Sequence, residues 1–320
     1  MIDLPLDQVR TLLAAVDEGT FEAAAQSLHI TPSAVSQRIK ALEQRTGRVL
    51  LLRTKPVRLT ASGEVVVRFG RQLARLERDA GAELGLADAA GPTALPIAVN
   101  ADSLATWFLP ALADAAGRHD ITFDLHRDDQ DHTAELLRQG LVMAAVTSSP
   151  RAVQGCSVRA LGRMRYRAMA APGFVARWIG AAPLRQALPA APMVVFDRKD
   201  DLQDRFLAAP GVAGSRSRSG SPAVPGPREA AARPGAGARH YVPSSEAFVD
   251  AVAAGLGWGM IPEVQGAARL AAGALVDLAD GRFVDVPLYW QQWKLDSPAL
   301  AAVADAVARA AGSVLAPHKP

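Results

Sequence analysis

The 320-residue sequence has few of the residues that build catalytic, metal or disulfide sites. It contains one cysteine and six histidines, and the histidines show no spacing typical of metal ligands. A single cysteine excludes a disulfide within the chain and favours a reducing compartment. The serine-hydrolase, zinc-protease, P-loop and dithiol motifs are also absent. We therefore expect no enzymatic activity, no catalytic residue, no metal and no cofactor.

Long apolar runs are missing as well. No stretch approaches the roughly 18 apolar residues of a membrane span. The start, MIDLPLDQVRTL, lacks the basic and then apolar pattern of a signal peptide. These absences predict a cytoplasmic protein with no membrane contact. The length allows two or three domains at roughly 100–200 residues each, and hydrophobic residues make up 49% of the chain, enough for their cores. Cys156 falls in a segment whose pattern predicts a loop.

Charge is distributed unevenly along the chain, whose net formal charge is +3. Residues 31–75 contain ten basic and two acidic side chains, whereas residues 241–300 contain three basic and seven acidic ones. A basic block on a nearly neutral chain indicates a polyanionic partner, although a solvated charged face has the same composition.

The segment TPSAVSQRIKALEQRTG (31–47) predicts a helix with two different faces. It follows two shorter helical patterns, of which the first ends at Gly19 and the second is capped by Thr20. Thr31 is a good N-cap and Pro32 suits the first helical position. Valine, isoleucine and leucine at 35, 39 and 42 form one apolar stripe. The opposite face carries short polar and basic side chains that suit base edges and phosphates in a major groove, namely Ser33, Ser36, Gln37 and Lys40.

A basic hairpin and a long helix follow. Residues 49–52 and 57–59 are predicted to form two short strands around the tip Arg53, Thr54 and Lys55. Such a wing would press on a phosphate or a minor groove. The long helix is expected from about 62 to 86, and its apolar stripe fits either pairing with a second chain or packing within one chain. The stripe consists of Val65, Val66, Phe69, Leu73 and Leu76.

FEAAAQSLHITPSAVSQRIKALEQRTG followed by LLLRTKPVRLTASG resembles the N-terminal signature of the LysR-type transcriptional regulators. The resemblance implies a winged helix-turn-helix at 1–60 and a dimerisation helix with a hinge at 61–90. It also implies dimers or tetramers that bind double-stranded DNA at an inverted-repeat operator. The predicted DNA contacts are Thr20, Thr31, Ser33, Ser36, Gln37, Lys40, Arg53 and Lys55.

Strand and helix patterns alternate from residue 95 onward and predict parallel βαβ units. They resemble the two-lobed α/β effector domain of the same family, which is similar to periplasmic solute-binding proteins. The predicted fold class is therefore α+β multidomain. We place the effector domain at 91–312, with lobe I at about 91–165 and 266–312 and lobe II at about 166–265.

Polar turns at the ends of strands suggest the kind of effector. NADS (100–103) offers Ser103 to a carboxylate, and RDDQDHT (127–133) offers several acids. Acids near a carboxylate-binding turn suit an amino acid with a basic side chain, although an aspartate that merely caps its helix would have the same sequence.

A second set of motifs resembles the ArgP/LysG branch of the family, which senses lysine or arginine and controls a basic amino-acid exporter gene. These motifs are NADSLATWFLPAL, DDQDHTAELLRQG, AAVTSSP, AGLGWGMIPE and DVPLYWQQWKLDSP. The resemblance covers about residues 4–207 and 240–312. It carries over Ser103, Asp129, Thr147 and Ser245 as effector contacts, and it implies L-lysine or L-arginine as the effector.

Residues 208–239 depart from that branch. They are rich in glycine, proline, serine and arginine and lack periodicity, which predicts a flexible solvated loop. Either a genuine insertion or a local frameshift in the gene would explain the segment.

The expected protein is a homo-oligomeric regulator in the cytoplasm, associated with the nucleoid, that contacts RNA polymerase. Two alternatives stay open at this point. One is a regulator of the same family with a non-basic carboxylate effector, and the other is an architectural DNA-binding protein without an effector.

Overall fold

The computed structural model describes residues 4–84, 93–119, 121–127, 130–209 and 237–318. The chain forms two compact units. Unit 1 comprises Met1–Val99, Ala115–Arg159 and Trp290–Ala304, and unit 2 comprises Asn100–Asp114, Ala160–Tyr289 and Asp305–Pro320. Asp129 and most of the segment 208–239 lie outside the described residues.

The helices and strands lie along the chain in the following order. In the first half they are α1 (Leu6–Asp17), α2 (Phe21–Ser27), α3 (Pro32–Thr46), β1 (Leu51–Leu52), β2 (Arg58–Leu59), α4 (Ala61–Glu83), β3 (Thr93–Val99), α5 (Ala101–Ser103, a π-helical turn Leu104–Phe108, then Leu109–Ala116), β4 (Ile121–Arg127), α6 (Gln130–Gln139) and β5 (Ala144–Thr147). In the second half they are β6 (Cys156–Ala170), α7 (Pro172–Trp178), α8 (Leu184–Ala190), β7 (Met193–Val195), α9 (Leu202–Ala208), β8 (Arg239–Tyr241), α10 (Ser245–Ala253), β9 (Gly259–Pro262), α11 (Glu263–Ala271), β10 (Val276–Asp277), β11 (Val284–Trp293) and α12 (Pro298–Val314).

The first three helices, the two-stranded wing and the start of α4 share one apolar core in unit 1. Val35, Ile39 and Leu42 are buried there, as their spacing predicts. Gly47 ends α3 in a left-handed conformation, with φ at 64°, which glycine adopts without steric cost. β1 pairs antiparallel with β2, in the register Leu51 opposite Leu59. The N-terminal part is therefore a winged helix-turn-helix.

The predicted apolar stripe of α4 divides between two faces. Val66 is only 7% exposed and belongs to the helix-turn-helix core, whereas Val65, Phe69 and Leu76 are 50%, 40% and 41% exposed. Of the two roles that the spacing left open, packing within the chain therefore applies to Val66. Residues 65, 69 and 76 recur at helical spacing and leave a row of apolar side chains at the surface of unit 1.

In unit 1, β3 pairs parallel with both β4 and β5, as the alternating pattern predicts. Hydrogen bonds connect the C-terminal end of α6 to the long helix α4. Arg71 donates a 2.8 Å hydrogen bond to the carbonyl oxygen of Gln139, and Arg68 donates one of 3.3 Å to that of Arg138. These carbonyls lie in the last turn of α6, where cationic side chains are favoured. The same α4 residue Arg71 also forms an ion pair with Asp17 of α1.

In unit 2, β7 and β8 pair parallel, but β6 pairs antiparallel with β9 and β10. For β6 the prediction of parallel pairing was therefore wrong. Its partners come from far along the chain, with Tyr166 opposite Pro262, and no local pattern reveals such pairing. Cys156 is buried at the first position of β6, so its assignment to a loop was also wrong.

Two structural features are absent from the residues that the structure describes. No helix among them is both long enough and apolar enough to cross a membrane. Within the same residues, no group of three or more histidine, cysteine or acidic side chains is arranged to hold a metal ion.

Candidate DNA-binding surface and effector site

The outer face of α3 presents the predicted DNA-contacting side chains. Ser33, Gln37 and Lys40 are exposed and Ser36 is partly exposed. Residues three and four positions apart lie on the same side of a helix, so these four form one surface. The buried stripe of the same helix anchors it from behind. α3 can therefore lie in a groove without disturbing its core.

Thr20 and Thr31, two further predicted DNA contacts, also cap helices. The hydroxyl of Thr20 accepts a 3.1 Å hydrogen bond from the backbone nitrogen of Ala23 at the start of α2. The hydroxyl of Thr31 accepts one of 3.2 Å from the nitrogen of Ala34 at the start of α3. Both are N-caps that fix where a helix begins. Their contact with DNA stays a prediction.

The wing is positioned by the only acidic residue of α3. One carboxylate oxygen of Glu43 accepts hydrogen bonds from the backbone nitrogens of Leu50, at 2.8 Å, and Leu51, at 3.4 Å. The carboxylate thus faces the wing backbone. Arg53 and Lys55 are exposed at the tip, and the guanidinium of Arg53 lies 5.8 Å from the centre of the Phe21 ring.

Part of the basic block is neutralised inside unit 1. Arg75 is buried and pairs with Asp79 at 2.9 Å. Arg38 lies 3.7 Å from a carboxylate oxygen of Asp7, and Arg71 pairs with an aspartate of α1. The charge counted along the sequence therefore exceeds the charge that this surface offers to a phosphate backbone.

A polar cluster in unit 2 surrounds the carboxylate of Asp102. The Tyr166 hydroxyl donates to one carboxylate oxygen at 2.6 Å, and the Ser245 hydroxyl lies 2.7 Å from the other. Gln265 places its side-chain oxygen 3.1 Å from the same serine hydroxyl. Tyr166 and Ser245 are buried, while Asp102 keeps part of its surface exposed. Ser103, the next residue of α5, is fully buried.

The surroundings of Asp102 disfavour the ionised form of its carboxyl group. Burial raises the pKa of Asp102, its two hydroxyl donors oppose that rise, and the carboxylates of Asp200 and Glu246 add to it. Burial also raises the pKa of Tyr166 well above its usual range, and the charge of Asp102 acts in the same direction. The phenol therefore stays protonated and remains a donor.

Thr147 lies in unit 1 within a network centred on Gln291. The Gln291 amide nitrogen lies 3.3 Å from the Thr147 hydroxyl, and that hydroxyl lies 3.2 Å from the carbonyl oxygen of Ser149. The amide oxygen of Gln291 accepts from the nitrogen of Val153 at 3.0 Å. Both Thr147 and Gln291 are buried.

Of the four predicted effector contacts, Ser103 and Ser245 both belong to the unit that holds the Asp102 cluster. Thr147 belongs to unit 1, and Asp129 lies outside the described residues. Sequence reasoning missed Asp102 and Tyr166. Asp102 was visible as the residue before Ser103 in the same polar turn, whereas Tyr166 lies on a strand whose partners the sequence did not reveal.

The chain is similar to known proteins along nearly its whole length. The profile described as "Bacterial regulatory helix-turn-helix protein, lysR family" matches residues 6–64. The HTH-type transcriptional regulator LysG of Mycobacterium tuberculosis is 45% identical, over 98% of this chain and 96% of its own. The lysine export transcriptional regulatory protein LysG of Corynebacterium glutamicum is 42% identical, over 97% of this chain and 99% of its own.

A solved structure agrees with these relationships. Full-length LysG of Corynebacterium glutamicum with the bound effector Arg superposes with a TM-score of 0.78 and 39% sequence identity, covering 98% of this chain and all of the other. The family profile coincides with the winged helix-turn-helix, and the relatives extend across both units. The chain therefore belongs to the LysR-type transcriptional regulators, in the ArgP/LysG branch, and is a DNA-binding regulator of transcription.

Proposed function

We propose that this regulator senses a basic amino acid, L-arginine or L-lysine, and controls a gene for a basic amino-acid exporter. The observation that carries the proposal is the buried polar cluster in which Ser245 contacts Asp102, next to Ser103. LysG of Corynebacterium glutamicum supports it in two ways, since that protein is named a lysine export regulator and its solved structure contains the bound effector Arg. The proposed effector contacts are Ser103, Asp129, Thr147 and Ser245.

The proposed DNA contacts follow from the exposed side chains of α3 and the wing. Ser33, Ser36, Gln37 and Lys40 address bases and phosphates, and Arg53 and Lys55 address the backbone. Thr20 and Thr31 contact DNA beside their capping roles. The protein acts in the cytoplasm, on the nucleoid, without catalytic activity of its own. Effector binding changes either the spacing within the dimer or the contact of the DNA-bound protein with RNA polymerase.

The proposed domains are 1–60 for DNA binding, 61–90 for dimerisation and 91–312 for the effector. The exposed side chains of Val65, Phe69 and Leu76 on α4 support pairing with a second chain. A two-fold dimer requires an inverted-repeat operator, and dimers of dimers form the tetramer. Phe69→Glu should shift the protein towards monomer in light-scattering chromatography, and an unchanged mass would refute the assignment of this face.

Thermal unfolding with each of the twenty amino acids tests the effector. A ligand present at about 100 times its dissociation constant adds about 2.7 kcal/mol to the stability of the state that binds it. We expect L-arginine or L-lysine alone to raise the melting temperature. A rise with acidic or neutral carboxylates would favour the non-basic effector, and the absence of any rise would contradict amino-acid sensing.

Gel shifts on the promoter DNA test the DNA contacts separately. Gln37→Ala should reduce discrimination between operator and unrelated DNA, because an amide reads base edges. Arg53→Ala should weaken binding to all DNA and lower its salt dependence, because a guanidinium on phosphate carries no sequence information. If both variants bind like the wild type, the assigned surface is wrong.

A further inference from the structure

Asp102 is the meeting point of three elements in unit 2. Its carboxylate starts from the first turn of α5, receives a hydroxyl from Tyr166 on β6 and contacts the hydroxyl of Ser245 on α10. Both hydroxyl-bearing residues are buried, so the orientation of the carboxylate is determined on both of its oxygens. Part of the Asp102 surface nevertheless remains exposed.

Among the described residues that influence the charge of this carboxylate, none is cationic. The influences on its pKa are burial, the two hydroxyls and the like charges of Asp200 and Glu246. Hydroxyl donors stabilise an anion, but they do not neutralise it. A cation brought by the effector would neutralise it, and partial burial would strengthen that attraction.

Unsatisfied polar atoms lie on the same turn of the chain. The hydroxyl of Ser103, 0% exposed, and the side-chain oxygen of Asn100, 5% exposed, have no hydrogen-bond partner among the described residues. Buried polar groups are seldom left unpaired in native proteins, and each such group calls for a partner. Ser103 therefore offers a hydroxyl that can donate a hydrogen bond. Asn100 offers an amide oxygen and Asp102 a carboxylate oxygen that can accept one.

The main-chain end of a free amino acid matches this arrangement. Its carboxylate and its ammonium are attached to one carbon atom, so the residues that bind them must be neighbours. The proposed carboxylate contact is Ser103, and the adjacent anionic group is Asp102. An ammonium carries three N–H donors, and the oxygens of Asp102 and Gln265 around Ser245 are acceptors for them.

We propose that Asp102 binds the α-ammonium group of the effector and that Tyr166 is the positioning residue that orients its carboxylate. This inference rests on the proposed function, since it requires an amino-acid effector. It assigns the two cations of L-arginine to different places, with the α-ammonium at Asp102 and the side chain elsewhere. Asp102 then selects amino acids over carboxylates that lack an α-amino group.

Three ligands separate the contributions when each is titrated calorimetrically into the full-length protein. L-arginine has all groups, agmatine lacks the carboxylate, and 5-guanidinopentanoate lacks the α-amino group. For Asp102→Asn we expect the affinities for L-arginine and agmatine to fall on the order of 10- to 100-fold, the range of a charged hydrogen bond. The affinity for 5-guanidinopentanoate should change little, because this ligand lacks the α-amino group that Asp102 binds. A change of less than about twofold is within ordinary context effects.

Two variants serve as controls. Glu246→Gln removes a negative charge near Asp102 but no hydrogen bond to its carboxylate, so it should alter all three affinities only slightly. Tyr166→Phe keeps the carboxylate and removes one of its donors, so it should weaken L-arginine and agmatine by a smaller factor and spare 5-guanidinopentanoate. This variant tests the inference even if Asp102→Asn does not fold.

The outcomes separate the inference from the proposed function. If the wild-type protein binds neither L-arginine nor L-lysine, the proposed function fails and the inference falls with it. If the wild type binds L-arginine but Asp102→Asn weakens all three ligands equally, or none, the proposed function stands and Asp102 is only a structural link between α5, β6 and α10.

Discussion

Among the glycines that the structure describes, Gly63 leaves the least room for a Cβ atom. It lies in the first turn of α4, and a Cβ atom added there would come within 2.1 Å of the carbonyl oxygen of Leu50 in the wing. Ordinary contacts between carbon and oxygen are about 3.3–3.6 Å. Gly63→Ala therefore requires the wing and the helix to separate by about 1.2 Å.

The carbonyl cannot simply turn away, because it accepts a 3.0 Å hydrogen bond from the backbone nitrogen of Thr60. Overpacking of this kind costs about 1–3 kcal/mol and occasionally more, whereas alanine in place of glycine returns at most about 1 kcal/mol of helix propensity. We expect a net loss of about 2 kcal/mol and a melting temperature lower by about 4–8 °C. The displaced wing should also weaken DNA binding.

Scanning calorimetry and gel shifts measure these two effects. Gly81→Ala is the matched control, because a Cβ added at Gly81 in the same helix meets nothing within 4 Å. It should leave the melting temperature unchanged or raise it slightly, and DNA affinity should stay the same. A Gly63→Ala protein that melts like the Gly81→Ala protein would refute the close approach of the wing to α4.

Three further predictions concern a helix cap, the Cys156 thiol and the Asp102 carboxyl. Thr31→Ala removes the hydroxyl that accepts from Ala34 and should lower the free energy of unfolding by about 1 kcal/mol, while Thr31→Ser should retain it; equal urea midpoints for both variants would contradict the capping role. Burial raises the pKa of Cys156 to about 11, so native protein at neutral pH should react with iodoacetamide far more slowly than unfolded protein, and fast labelling of the native state would show that the thiol is accessible. Burial raises the pKa of Asp102 in the folded protein, so this carboxyl contributes stability that is complete below its ordinary pKa and is lost as pH rises through the raised value. Asp102→Asn should accordingly gain stability relative to wild type across that rise, and a pH-independent difference in melting temperature would show that the shift is absent.

Local patterns predicted the DNA-binding part well. The caps Thr20 and Thr31, the apolar spacing of α3 and the wing strands were all assigned from short stretches of sequence, and the structure confirms these elements. They were predictable because caps, helical periodicity and turns act over a few residues. For the apolar stripe of α4 the spacing left two roles open, and the structure divides the stripe between them: Val66 packs in the helix-turn-helix core, whereas Phe69 and Leu76 are exposed.

Pairings between distant segments could not be predicted in the same way. The antiparallel register of β6 joins residues almost a hundred positions apart, and hydrophobic alternation carries no information about a strand's partner. The burial of Cys156 and the partners of Gln291 depend on such pairings. Charge counting also overstated the basic surface, because it cannot distinguish bases that pair with an acid of the same chain, such as the buried Arg75 and the partly exposed Arg38, from bases without such a pair.

The amino-acid sequence by itself determined which helix presents a polar face and where α2 and α3 begin, and it predicted which turns carry the candidate effector contacts. These features follow from capping, periodicity and side-chain chemistry within one or two turns of chain. Only the tertiary structure decided that Asp102 meets the hydroxyls of Tyr166 and Ser245. Asp102 lies 64 positions from Tyr166 and 143 from Ser245. The contacts among the three residues exist only when α5, β6 and α10 fold against one another.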